Sequence, residues 1–134
     1  GIYSNPKSCK RQRKKQNTIK GDGLMIEKTV LDYLSAKLIA PVYMETPEKI
    51  PSTYILVEKT GGGCENYIYR ATLAIQSIAP TLYEAAELNE AAKSAMFCIT
   101  DTENISRCEL NSDYNFTNSD TKQYRYQAVF DLWY

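Results

Sequence analysis

The sequence predicts an α+β fold: a mainly antiparallel sheet of about five strands with two helices packed on one face, in the order α-β-β-β-α-β-β. Three observations lead there. Residues 26–39 repeat apolar side chains at helical spacing. Residues 67–79 and 123–134 alternate with period two. Between them, Thr81-Leu82-Tyr83-Glu84 opens a second helix. Strands in neighbouring runs, with two helices to cover a face, argue against an alternating parallel sheet.

In the first helix Ile26, Val30, Leu34 and Leu38 fall four apart with Leu31 beside them, and Pro41 stops the run. "VYMET" is a short strand candidate, and Pro47 and Pro51 frame a connection that cannot lie inside a sheet. Residues 53–59 are rich in β-formers. On 67–79, Tyr67, Tyr69, Ala71, Leu73 and Ile75 share one face, predicted to be the buried one, and Arg70, Thr72 and Gln76 share the other. Thr81 and Glu84 form a capping box, and Ala85, Leu88, Ala92 and Ala95 give the second helix a narrow face that lets it lie close to a sheet. Residues 104–110 read as a strand and 111–121 as a polar loop. Along the last strand Tyr124, Tyr126, Ala128, Phe130, Leu132 and Tyr134 share a face.

The chain of 134 residues is one domain's worth. No apolar run approaches the roughly 20 residues of a membrane span, so no membrane role is expected. There is no histidine, which removes the commonest general base and metal ligand. The four cysteines form no C-x-x-C pair, so neither a metal site nor a catalytic or cofactor-binding set is expected. A Cys98–Cys108 bridge can be drawn on paper, but free thiols are the expectation for a cytosolic chain. The pairs Glu45/Glu48 and Asp101/Glu103 read as solvated loop carboxylates. Eleven tyrosines suit either core packing or an interface, and both readings stand.

The stretch "VEKTGGGCENYIY" raises a phosphate loop as a candidate. A Walker loop needs Lys-Ser/Thr after its last glycine, and a dinucleotide fingerprint needs a third glycine and then a helix. Asn66 stands at that third place and a strand follows, so the glycines are expected to form a hairpin loop that uses positive φ.

The zero net charge hides an asymmetry. Residues 1–24 carry seven Lys/Arg against one Asp, and residues 25–134 nine against fifteen acids. The first segment is expected to be a disordered basic extension and the second a single α+β domain. One reading of the extension is a nucleic-acid arm binding phosphates through "KRQRKK". The favoured one is that it is not native. Lys20-Gly21-Asp22 can be encoded by a ribosome-binding sequence at normal spacing from Met25, a hypothesis that transcript-start mapping or the intact mass of the native protein would decide.

"MIEKTVLDYLSAKLIAPVYMETPEKIPSTYILVEKTGGG", followed by "ATLAIQSIAPTLYEAAELNEAAKSAM", resembles the tail terminator (tail completion, minor tail) proteins of bacteriophages and prophages. The resemblance covers residues 25–134, with 97–123 similar only in outline, and "IPSTYILVEKTGGG" is its most specific part. It implies a structural protein, not an enzyme, without cofactors. Such a protein forms a homo-oligomeric ring, commonly a hexamer, that ends the tail tube. Its partners would be itself, the tail tube protein and the head connector protein, with DNA passing through the ring without specific binding. It would reside in the host cytoplasm during assembly and then in the virion tail. In this reading Thr60, Gly61, Gly62 and Gly63, with Asn111, Asp113 and Tyr114, belong to loops facing the ring lumen or a partner. Glu84, Glu87 and Glu90, looking outward, and Arg125 fall at subunit interfaces. The alternatives are another head–tail joining component and a nucleic-acid-binding protein that uses the basic arm.

Overall fold

The computed structural model describes residues 25–117 and 123–134, so the basic extension lies outside the described residues, as do positions 118–122 of the predicted polar loop. The elements are α1 (Ile26–Lys37), β1 (Val42–Tyr43), β2 (Tyr54–Glu65), β3 (Ile68–Ala79), α2 (Leu82–Phe97), a single 3-10 turn (Ile99–Asp101), β4 (Arg107–Asn115) and β5 (Tyr124–Trp133). This is the α+β order expected. The five strands form one sheet in the order β1-β2-β3-β5-β4, antiparallel throughout except for the β1–β2 pair.

Helix α1 buries Ile26, Val30 and Leu34 and ends at Lys37, two residues short of expectation. Pro41 has no N–H to bond the Lys37 carbonyl, and it drives the residue before it toward extended backbone. The Pro41 carbonyl instead accepts the Ile55 N–H at 2.9 Å, which starts the β1–β2 pairing. Helix α2 begins as expected: the Thr81 hydroxyl accepts the Glu84 N–H at 3.1 Å. One Glu84 carboxylate oxygen is buried with no hydrogen-bond partner, so that oxygen does not make the reciprocal half of the box.

One core cluster holds the layers together. Ile55 and Val57 of β2, Ala71, Leu73 and Ile75 of β3, and Ala128, Phe130 and Leu132 of β5 meet Val30 and Leu34 of α1 and Leu88, Ala92 and Met96 of α2. These strand residues have one parity, so both helices cover the same sheet face. Each large side chain so buried contributes about 1.5–3 kcal/mol. The small side chains of α2 bring its axis close to the sheet, and the Phe97 ring stands edge-on to Phe130 at 5.9 Å.

Three expectations fail here. The glycines do not turn the chain: β2 runs through them to Glu65, and the reversal is made by Asn66 (φ 53°) and Tyr67 (φ 65°) between the paired Glu65 and Ile68. Asn tolerates positive φ, so a two-residue turn forms without glycine. Strand β3 does not have a single buried face. It is the central strand of five, and Ala74, Gln76 and Ile78 are buried on the side away from the helices as well. Strand β4 continues to Asn115, so 111–115 is strand and not loop.

Candidate functional site

The sheet offers two open edges. Strand β1 covers only Ile55 and Leu56, so β2 from Val57 to Glu65 has no strand beyond it among the described residues. At the other side, among the described residues, β4 has a neighbour only in β5. Unpaired edges present N–H and C=O groups ready for another strand.

The β2 edge belongs to a hairpin arm reaching beyond the core. From Glu58 on, β2 is exposed or half-exposed, as are Ile68, Tyr69 and Arg70 of β3. A bulge at Thr60 interrupts the pairing between Lys59 and Gly61. Past it, Gly62 and Cys64 share the helix side with Tyr69, whose ring stacks on Tyr134 at 5.8 Å. Gly61, Gly63, Glu65 and Arg70 share the opposite side. Without side chains the glycines leave an open hollow on each side of the arm. One of about 400 Å³ lies between Gly63, Glu65, Arg70 and Trp133. The other, of about 600 Å³, lies between Lys59, Gly62, Tyr69 and Tyr134. The tip residue Tyr67 is 96 % exposed.

The β4 edge is built differently. Its Asp113 points to the helix side, where Asn89 of α2 donates to Oδ1 at 2.8 Å and Lys93 Nζ meets Oδ2 at 2.5 Å and Glu90 at 2.6 Å. Burial disfavours the Lys93 charge, but the hydrogen bonds to Asp113 and Glu90 outweigh it and raise its pKa. On the far side two polar rungs cross the strands. Thr72 donates to Asp131 Oδ1 at 2.6 Å, and Asn111 donates to Asp131 Oδ2 at 3.0 Å. Gln76 donates to Gln127 at 2.9 Å, and Gln127 donates to the Tyr114 hydroxyl. Arg107 lies over the Trp133 ring at 4.6 Å and pairs with Glu109.

The expected site residues therefore divide. Thr60, Gly61, Gly62 and Gly63 do lie on the projecting hairpin, but in its strand and not at its tip. Asn111, Asp113 and Tyr114 lie in an edge strand, each holding a partner of its own. Glu84 and Glu87 are half-buried, and only Glu90 looks fully outward as expected. Arg125 is half-buried, and its main-chain N–H donates to the Thr117 hydroxyl at 3.0 Å. Asn89 and Lys93 were missed. Asn89 stands four residues after Ala85 and three before Ala92, so helical spacing puts it on the buried face.

Cys64 and Cys108 carry free thiols, so the bridge drawn between Cys98 and Cys108 does not form. Cys98 is itself disulfide-bonded, which corrects the free-thiol expectation at that position. Among the described residues no cluster of three or more Cys, Asp or Glu side chains is placed to hold a metal ion, and no helix is long and apolar enough to cross a membrane. No protein-family model matches the chain, and no curated protein matches it significantly.

Proposed function

We propose that this chain is a structural subunit of a phage or prophage tail that assembles into a ring, ends the tail tube and joins it to the head connector. The sequence resemblance over residues 25–134 supplies the tail assignment. One structural observation supports a ring: among the described residues the sheet has two open edges, one along β2 beyond its short pairing with β1 and one along β4, built from different residues on opposite sides of the domain. A closed cyclic assembly joined head to tail needs two such unlike patches on every subunit. The hairpin arm, exposed on both sides, is then the element that reaches the tube or the connector.

The test is to add the purified chain to polymerising tube protein from the same phage or prophage and to measure tube lengths by electron microscopy. The expected result is tubes capped at one end, with this protein at the cap. Tubes of unchanged length with no protein at their ends would sink the tail reading.

A further inference from the structure

The geometry points to a specific contact between copies of this chain: the β4 edge of one copy pairs antiparallel with the β2 arm of the next, Arg107 facing Glu65 and Asp113 facing Lys59. The inference takes from the tail reading only that copies meet one another, and tube termination does not enter it.

Direction is the first argument. β2 is antiparallel to β3, β3 to β5 and β5 to β4, so the two edge strands point opposite ways. A second copy turned about an axis along the strands brings its β2 beside the first copy's β4 in antiparallel orientation, extending one sheet through both copies.

Register is the second. Arg107 and Asp113 are six residues apart, as are Lys59 and Glu65. Aligned in antiparallel sense, each cation meets an anion, an arrangement that favours cross-strand pairing. The faces agree too. Arg107 and Glu65 both lie on the side away from the helices, while Asp113 and Lys59 both lie on the helix side.

That agreement depends on the bulges. β2 has its irregularity between Lys59 and Gly61, and β4 between Leu110 and Ser112. In this alignment Thr60 and Gly61 face Ser112 and Asn111, so the two bulges fall at the same level and cancel. A bulge in one strand alone would turn every later side chain to the wrong face. Two β2 edges aligned Lys59 to Glu65 have bulges at different levels, which puts those charges on opposite faces. The head-to-tail pairing has no such mismatch. It also sets Leu110, 39 % exposed, over the bare backbone of Gly62.

Charge exchange tests the contact. Arg107 is 60 % exposed and Glu65 is exposed, so Arg107→Glu and Glu65→Arg leave the core untouched. Sedimentation of the full chain should show concentration-dependent association. Each single variant should weaken it about fivefold, and the double variant should restore it. A wild-type chain that stays monomeric at every concentration reached, or a double variant no better than the singles, overturns the inference. Mixing Glu65→Cys protein with Arg107→Cys protein under oxidation gives a second reading. Peptide mapping should find the 65–107 link between copies, and 65–65 or 107–107 links in its place would refute the pairing.

Discussion

The Tyr33 hydroxyl on α1 donates a 2.7 Å hydrogen bond to the main-chain carbonyl of Ala95 near the end of α2. The same carbonyl accepts the Cys98 N–H at 3.1 Å, so one acceptor both caps α2 and ties it to α1. Tyr33→Phe keeps the ring and removes the donor. It should lower unfolding free energy by about 1 kcal/mol, read as a shift of the denaturant midpoint at unchanged slope. An unchanged midpoint would mean that the two helices are held by apolar contact alone.

Alkaline pH should weaken the fold. Burial, then the nearby Asp101 and Cys108, push the Tyr33 hydroxyl from 10.0 up to about 12. Burial, then Asp131 and Glu109, push the Cys108 thiol from 9.0 up to about 12. Both groups hold their protons more tightly folded than unfolded, so their contribution is fully present below pH 9 and is lost as pH rises to 12. Thermal melts across that window should show a falling Tm. In Tyr33→Phe the part of the fall above pH 10 should shrink; an identical profile would contradict the assignment to Tyr33.

Asp113 satisfies two groups of α2 at once. Asp113→Ala strips Lys93 of its partner on β4 and leaves the buried Asn89 amide without its acceptor. The expected loss is about 1–3 kcal/mol by chemical denaturation. Glu90→Ala removes only an exposed carboxylate and should cost well under about 1 kcal/mol. Equal losses would show that Asp113 acts merely as surface charge.

At the hairpin tip Tyr67 adopts a left-handed backbone while almost wholly exposed. Tyr67→Gly relieves that conformation and gives up little packing, so stability should rise by about 1 kcal/mol. A fall would place the reversal elsewhere.

The glycines should differ from one another. A Cβ on Gly62 would stand 3.1 Å from the Arg70 carbonyl oxygen, whereas one on Gly63 meets nothing within 4 Å. Gly63→Ala should be neutral or stabilising by about 0.5 kcal/mol, since it removes unfolded-state freedom. Gly62→Ala should be the less stable of the two, a ranking that parallel thermal melts decide.

Where side chains announce their surroundings, the sequence was readable. Thr81 and Glu84 mark the start of α2, and the alternation through Ala128, Phe130 and Leu132 marks β5 and sorts its side chains onto two faces. Glycine has no side chain with which to signal a strand, so Gly61–Gly63 read as a turn while the backbone keeps them extended. The sequence ends β4 early for a related reason: Asn111 and Asp113 are polar because they bond Asp131 and α2, and polarity alone reads as loop. Of the candidate site, the projecting segment was legible and its geometry was not. Pairing register and bulge position are properties of two strands together, and Asn89 meets Asp113 only after the sheet has formed.

The two polar rungs have a mechanical consequence. Thr72, Asp131 and Asn111 form one, and Gln76, Gln127 and Tyr114 the other, so β3, β5 and β4 are riveted side chain to side chain. Sliding any of the three past its neighbour breaks a rung as well as the main-chain ladder. Among the described residues, the distal half of β2 has only a 3.3 Å bond from the Thr60 hydroxyl to the Thr72 carbonyl besides that ladder. Under load the three riveted strands should move as a plate while the arm of β2 peels from its edge at the Thr60 bulge, an expectation that single-molecule pulling on the hairpin checks as a low-force yield before the main unfolding event.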